Sequence, residues 1–342
     1  MKKMMMILLS LCMLFGLAAC GNGANSDANG SSSSASGTRT LSFTINSADA
    51  GSFGKASHMF VDKVAEYTDG RINVQFYPGD QIANGSSTTS FEMLQQGTCD
   101  FVWGSGLILS NFDERMGITA LPWLFSSSEE AVAAMAGEAG QAMKSVAESL
   151  GIKVLGFGDN GFRDWTGTNK IFKSPDDFKG VKYRVPTVPI FIDLFTAFGA
   201  DPVSINMSEL YIALQQGAVE GQENPVEMCM NWNMFEVQKY LTLSHYCYDP
   251  FYFCVSPSIW DSLGEADQEA IQKAVDEITA FQIEERAKND AENLERAKNE
   301  FGVEIYELTD AELAVFKDVA APMYDKYVAS YSDLLQLFGY TG

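Results

Sequence analysis

The sequence predicts an α/β fold composed of two similar lobes with a ligand cleft between them. Strand and helix patterns alternate in the first part of the chain, as in a sheet whose faces are covered by helices. A helix–glycine–strand junction occurs over residues 91–100 and again over 210–220, which indicates two domains of similar construction. The 342 residues are 46% hydrophobic, enough for more than one core. Two such domains facing each other would form a binding cleft.

The elements of the first lobe follow from hydrophobic periodicity. Apolar residues alternate in the segments predicted as strands and recur at helical spacing in the segments between them. Gly70 and Gly97 end the two helices. The predicted order is strand, helix, strand, helix and strand over residues 41–45, 53–69, 72–76, 87–96 and 99–103.

The remaining elements repeat this alternation. A helix is predicted over 127–150, with Ser128 as its N-cap, and a strand over 153–157. The pattern resumes at Gly161, and the last predicted helix carries many Glu and Lys residues, which we interpret as a solvated face. The later elements are a strand over 181–185 and helices over 189–198, 208–216 and 267–299.

The N-terminus has the pattern of a lipoprotein signal peptide, predicted for residues 1–19. Two lysines precede an apolar run that is short for a bilayer span, and small residues precede Cys20 as in the bacterial lipobox. Cys20 is therefore the predicted lipidation site, although an ordinary secretory signal is the alternative. Residues 20–39 are predicted to form a flexible tether. The protein is expected outside the cytoplasm, anchored to the cell membrane, on a cell surface or in a periplasm.

Four cysteines remain once the leader and Cys20 are set aside. They lie in no Cys-x-x-Cys or Cys/His spacing, so no metal site is predicted. We interpret them as small core residues, and a disulfide among them stays open outside the cytosol. They are Cys99, Cys229, Cys247 and Cys254.

Charge and motifs exclude several functions. The net charge of −22, with no cluster of Lys and Arg, argues against nucleic acid as a partner. The sequence has no Walker loop, His-Glu-x-x-His motif, nucleophile elbow or complete dinucleotide fingerprint, so we predict no catalytic residue and no cofactor. Among 45 acidic residues, a pair of carboxylates acting on a carbohydrate stays open as an alternative.

Two of the seven arginines stand in apolar surroundings, Arg163 and Arg184. Arg184 lies at the end of a predicted strand, just before Pro186. A planar guanidinium fixed there can hold a carboxylate by two parallel hydrogen bonds. From local context alone, an internal pair with a protein Asp or Glu is equally expected.

Several segments resemble the solute-binding proteins of TRAP transporters, of the dicarboxylate-binding type. The most specific are Asp176-Asp-Phe-Lys-Gly-Val-Lys-Tyr-Arg-Val-Pro186 and the stretch from Met207 to Pro225, which contains Leu-Gln-Gln-Gly and Gln-Glu-Asn-Pro. Shorter matches lie at 120–125, 161–163 and 242–245. The resemblance covers essentially the whole chain after the tether.

The resemblance implies a two-lobed periplasmic-binding-protein fold with a long helix spanning both lobes. Lobe I would comprise residues 40–160 plus about 250–285. Lobe II would comprise residues 161–249 plus about 286–342.

The resemblance also implies a set of ligand-binding residues. Arg184 would pair with a ligand carboxylate, Arg163 would add a second charged contact, and Asn224 would hydrogen-bond the same carboxylate. Met207 replaces a residue that is often aromatic in the family and would form a softer apolar floor. Asn46, after the first strand, would contact the ligand from the facing lobe.

The resulting hypothesis is a monomeric receptor, not an enzyme, that binds an organic acid or sugar acid between its lobes. It would deliver this carboxylate to the membrane subunits of an ion-gradient-driven TRAP permease. The alternatives are a lipid-anchored hydrolase that acts on carbohydrate through paired carboxylates, and a ligand-sensing receptor for a signalling partner.

Overall fold

The protein is described here from a computed structural model, which covers residues 38–341. The predicted signal peptide, Cys20 and most of the predicted tether lie outside these residues. The strands are β1 (Arg39–Ile45), β2 (Ile72–Pro78), β3 (Phe101–Ser105), β4 (Lys153–Gly167), β5 (Lys182–Val185), β6 (Asp201–Ser204), β7 (Gly221–Asn224), β8 (Tyr240–Val255) and β9 (Glu304–Glu307). The helices are α1 (Gly51–Tyr67), α2 (Ser87–Gln95), α3 (Ser128–Ala136), α4 (Glu138–Ser149), α5 (Pro189–Ala197), α6 (Met207–Gln215), α7 (Val226–Asn231), α8 (Pro257–Asp261), α9 (Glu265–Phe301) and α10 (Asp310–Leu337).

The described strands form one mixed sheet in the order β2-β1-β3-β8-β4-β7-β5-β6, with β9 paired to β8. At one end β1 pairs in parallel with β2 and β3, and at the other β5 pairs in parallel with β6 and β7. The long strands β4 and β8 pair antiparallel with each other in the middle. The sheet therefore has two parallel halves, joined by two strands that run through both.

The central pair is irregular near its midpoint. The register of β4 against β8 shifts between Asp159 and Phe162, and Pro250 of β8 lies opposite Asp159. Gly161 within this bulge has a φ of 89°, and a side chain on it would collide with Arg286. A bulge re-aims the side chains beside it, and this one directs Asn160 and Arg163 toward the cavity described below.

The core divides between the two faces of the sheet. One cluster packs α1, α6, α7 and α9 and is rich in stacked and edge-on phenylalanines, among them Phe43, Phe60 and Phe253. The other packs α2 to α5 and α10, with Trp165 against Phe316 of α10. Burial of apolar surface on both faces stabilises the mixed sheet.

Helix α9 is the long helix of the fold, with 37 residues. It packs against α1, α7 and β4, and Arg286 on it pairs with Asp159 of β4. Its outer face carries exposed pairs such as Arg296 with Glu300, as expected for a solvated face. None of the helices in residues 38–341 is long and apolar enough for a membrane span.

The structure corrects parts of the sequence prediction. The helix predicted over 127–150 is two helices, because Gly137 adopts an extended conformation that ends α3 and begins α4. The strand predicted over 153–157 continues to Gly167, and Arg39, assigned to the tether, is already in β1. Strand β8 and helix α10 were not predicted. The four cysteines among residues 38–341 are buried and free.

Candidate functional site

A narrow cavity lies at the carboxyl ends of strands from both halves of the sheet. Asn46 follows β1, Ser105 ends β3, Arg184 lies near the end of β5, and Asn224 ends β7. Such strand ends form the crevice in which open α/β sheets bind ligands. The cavity is lined by all five residues predicted as ligand contacts, namely Arg184, Arg163, Asn224, Met207 and Asn46.

Two helices begin at this cavity, α2 at Ser87 and α6 at Met207. A helix N-terminus carries partial positive charge and free N–H groups. At α2, the carboxylate of Asp80 already lies against the first turn and accepts from the hydroxyls of Ser87 and Ser90. At α6 the charged group that lines the cavity is Arg184, whose Nε donates to the carbonyl of Ile205 at 2.8 Å. Glu209, in the first turn of α6, is exposed and lies outside the lining. The positive potential is therefore concentrated at the α6 side.

Arg184 is buried without an ion pair. Only 2% of the residue is exposed, and its Nη1 has no hydrogen-bond partner. Burial lowers the pKa of Arg184 to about 10, because the nearby charge of Glu223, which forms no ion pair with Arg184, only partly offsets the lost hydration, and Arg163 lowers the pKa further. The internal pair with Asp or Glu that local sequence context left open is absent among the described residues. A buried guanidinium without an ion pair at a cavity is suited to bind an anion.

Arg163 has the opposite environment, although it lines the same cavity. Its Nε and Nη2 contact the carboxylate of Glu223, and its Nη1 donates to Asp249 at 2.7 Å. Burial by itself would lower the pKa of Arg163. The attraction of the Glu223 and Asp249 carboxylates is stronger than this effect and holds the pKa of Arg163 well above its usual value. Tyr246 donates to the same Glu223 at 2.6 Å. The charge of Arg163 is therefore balanced within the protein.

Asn224 is fixed by this network. Its Oδ1 accepts from Nη2 of Arg163 at 2.9 Å, and its Nδ2 donates to Gln222 at 2.5 Å. Nδ2 also lies 3.7 Å from the sulfur of Met207. Met207 is 7% exposed and lies on the cavity floor where the prediction placed an apolar residue.

Asn46 lies across the cavity on the facing half. Its Nδ2 donates to Asp80 at 2.8 Å and also contacts Ser87. The structure therefore brings together residues that are up to 178 positions apart, from Asn46 to Asn224. Sequence reasoning missed Ser87, Ser105 and Asn160 on this side.

Two buried acids that organise the site were also missed. Glu223 precedes Asn224 within Gln-Glu-Asn-Pro, and Asp249 precedes Pro250 in the middle of β8. Both are fully buried. The mostly apolar stretch of β8 around Asp249 was an available signal, since buried carboxylates require a partner. Glu223 lies in the polar strand β7 and gave no such signal. No cluster of His, Cys, Asp or Glu among residues 38–341 is arranged to hold a metal ion.

His245 lies outside the cavity, beside a second cavity of about 260 Å³ that Asp164 and Arg286 also line. Its Nδ1 is 3.2 Å from Asp164, and it has a φ of 44°. Asp164 raises the pKa of His245 from 6.5 to about 9. A group whose pKa is higher in the folded than in the unfolded protein stabilises the fold by being protonated. For His245 this contribution is fully present below the pKa of the unfolded state and is lost as the pH rises through about 9.

We therefore predict that a His245→Asn variant differs from the parent protein less at alkaline pH. Asn tolerates positive φ, so the backbone is kept. The difference in melting temperature between the parent protein and the variant should be smaller at about pH 10 than at about pH 6. The difference is small at both pH values, because 56% of the His245 side chain is exposed. His58→Asn, at the exposed pair with Asp49, is the control. An equal difference at both pH values would contradict the prediction.

The chain is similar to proteins that bind small acids. Residues 44–330 match the family described as bacterial extracellular solute-binding protein, family 7. The 2,3-diketo-L-gulonate-binding periplasmic protein of Escherichia coli is 28% identical over 309 residues, covering 89% of this chain and 93% of that protein.

Solved structures agree with this match. A TRAP periplasmic solute-binding protein from Ralstonia eutropha H16 with bound (S)-2-acetolactate has a TM-score of 0.84 and 30% identity, covering 88% of this chain and 98% of the other. One from Shewanella oneidensis with bound succinate has a TM-score of 0.84 and 26% identity, with the same coverage.

The two-lobed fold predicted from the sequence is confirmed by these neighbours. The lobe boundaries given above stay a prediction. The family match covers most of the folded chain and includes the segments on which the resemblance was based. The chain belongs to family 7 of the bacterial extracellular solute-binding proteins.

Proposed function

We propose that this protein captures a small carboxylate between its lobes, outside the cytoplasm, and delivers it to a TRAP-type permease. The observation that carries the proposal is the unpaired guanidinium of Arg184, buried in the cavity at the N-terminus of α6. Burying a cation without a partner is costly, and an anionic ligand removes that cost.

The cavity residues have distinct roles in this proposal. Arg184 binds the carboxylate through its free Nη atoms. Arg163 lines the same end and adds hydrogen bonding without net charge, since Glu223 and Asp249 balance it. Asn224, positioned by Arg163, donates to the carboxylate, and Met207 forms the floor.

Capture involves movement of the lobes. The cavity volume is about 30 Å³, which holds only two or three water molecules at roughly 10–15 Å³ each. An organic acid therefore needs the lobes to separate before it binds. Closing again excludes water, which strengthens the ion pair to Arg184. The closed form is the one proposed to dock on the permease.

We also propose that the protein is a monomer held at the membrane by lipid on Cys20. The lipobox pattern before Cys20 supports this. Intact mass of the membrane-extracted protein would show the added diacylglyceryl mass, and Cys20→Ser would remove it. A protein of unmodified mass that begins at another residue would favour the ordinary secretory signal.

A screen of organic acids tests the binding function. A ligand that binds only the folded protein stabilises it by mass action, by about 2.7 kcal/mol at 100 times the Kd. We expect at least one small carboxylate to raise the melting temperature and its neutral amide to have no effect. A screen in which acids and amides behave alike would contradict the proposal. Among residues 38–341, those that line the cavity include no Asp or Glu, and no observation favours the hydrolase.

A further inference from the structure

We infer that the site selects a hydroxylated monocarboxylate, such as a sugar acid, over a dicarboxylate. The inference deepens the proposed function and rests on it. It follows from the sign of the charges around the cavity and from the direction of the hydrogen bonds in its walls.

The two arginines that line the cavity are matched in number by the buried acids Glu223 and Asp249, and only Arg184 lacks an ion pair among the described residues. Arg184 and Arg163 are the only Arg, Lys or His residues among the described residues that line it. Arg163 is held between the carboxylates of Glu223 and Asp249, both fully buried. One ligand carboxylate therefore suffices to balance Arg184, and a second would have no cation to meet.

Four polar side chains of the lining are hydrogen-bonded to buried acids, and we call them the acceptor wall: Asn46, Ser87, Ser105 and Asn160. Thr88, Thr187 and Asn206 also line the cavity. Asn46 and Ser87 donate away from the cavity. Nδ2 of Asn46 and Oγ of Ser87 both donate to Asp80, at 2.8 and 2.7 Å. Nδ2 of Asn46 also contacts Oγ of Ser87, which uses its second hydrogen. What remains for a ligand is the Oδ1 of Asn46 and a lone pair of Ser87.

The second half of the acceptor wall repeats this arrangement around another acid. Oγ of Ser105 donates to Asp249 at 2.6 Å, and Nδ2 of Asn160 donates to Asp249 at 2.9 Å. The hydroxyl proton of Ser105 is thereby used, while Asn160 keeps its Oδ1 as a free acceptor and the second hydrogen of its Nδ2 as a free donor. Both halves thus have free acceptors, each backed by a buried carboxylate.

This wall favours hydroxyl groups over a second carboxylate. A hydroxyl donates a proton to such acceptors, whereas an ionised carboxylate can only accept. Asp80 is 1% exposed and forms no ion pair with any described residue, so its negative charge also repels a second carboxylate. The N-terminus of α2 offers little compensation, because Asp80 already occupies it.

Two sets of acids that differ only in carboxylates and hydroxyls test the inference. The four-carbon set is D-erythronate, tartrate, succinate and butyrate, and the six-carbon set is D-gluconate, D-glucarate, adipate and hexanoate. Within each set the number of carbon atoms is constant, so the effect of a second carboxylate on the Kd can be distinguished from the effect of the hydroxyl groups. Isothermal titration calorimetry of the purified protein gives the Kd of each acid.

We expect the hydroxylated monocarboxylate to bind at least tenfold more tightly than the other three members of the set that fits. A dicarboxylate that binds as tightly, or butyrate or hexanoate that binds as tightly, would overturn the inference while leaving a carboxylate receptor in place. If none of the eight acids binds but another carboxylate of the organic-acid screen does, the inference is overturned and the carboxylate receptor stands. If no carboxylate of that screen binds, the proposed function fails as well.

A variant tests the origin of the selectivity. Asp80→Asn removes the charge behind the acceptor wall, and we expect the Kd ratio of dicarboxylate to hydroxylated monocarboxylate to fall at least threefold. An unchanged ratio in a folded variant would refute the role of Asp80. The ratio in the parent protein decides the ligand class even if this variant does not fold.

Discussion

Replacing Arg184 with methionine should abolish carboxylate binding without destabilising the ligand-free protein. Two charge-assisted hydrogen bonds contribute roughly 1.5–3 kcal/mol each, so the Kd should rise by roughly 10²- to 10⁴-fold. The guanidinium has no ion pair, and its Nη1 has no partner. An apolar side chain of similar volume therefore relieves a desolvation cost. The melting temperature without ligand should stay equal or increase.

Calorimetry with the tightest acid of the screen, together with thermal unfolding, checks both parts. Arg184→Lys keeps the charge but loses the planar fork, so it should bind with intermediate affinity. Arg296→Met, on the exposed face of α9, is the matched control and should bind like the parent protein. An unchanged Kd for Arg184→Met would refute the carboxylate contact. A steep fall in stability would refute the unpaired state of Arg184.

Replacing Arg163 with methionine should instead destabilise the fold, by about 3–5 kcal/mol in the free energy of unfolding. The reason is that Glu223 and Asp249, both fully buried, lose their shared cation. Asn224 also loses the donor that orients its side chain. Urea denaturation at constant pH measures this difference.

The pH dependence separates this mechanism from a simple packing defect. Two buried carboxylates without a cation take up protons more readily, so the deficit of Arg163→Met should narrow as the pH falls. Adding Glu223→Gln to the variant removes one of the orphaned charges and should recover part of the lost stability. A deficit that is independent of pH and of Glu223→Gln would mean that the lost contacts, not the charges, are responsible.

The two arginines illustrate how far local sequence reasoning extends. Both lie in apolar contexts, and local context alone left Arg184 equally suited to an internal pair or to a ligand. The resemblance to the solute-binding family assigned both to the ligand. The structure distinguishes them, because β7 and β8 bring Glu223 and Asp249 into ion pairs with Arg163, whereas no acid among the described residues forms an ion pair with Arg184.

Secondary structure shows the same limit. Alternating segments such as Leu41-Ser-Phe-Thr-Ile45 are recognisable because one side of each strand is polar. Strand β8 was not predicted, because both of its faces are buried over most of its length and alternation disappears. The break at Gly137 was overlooked because a single glycine does not always end a helix.

The sequence by itself determined the alternation of strands and helices, the absence of a basic surface and the family, because these depend on residue types and their local spacing. The tertiary structure alone decided which charges are balanced and which side of each amide and hydroxyl faces the cavity. Those properties depend on residues far apart in the chain, such as Asp249 beside Asn160 and Asp80 beside Asn46. The hydrogen bonds from the acceptor wall to Asp80 and Asp249 determine which donors and acceptors remain for a ligand, and these bonds cannot be predicted from the local sequence.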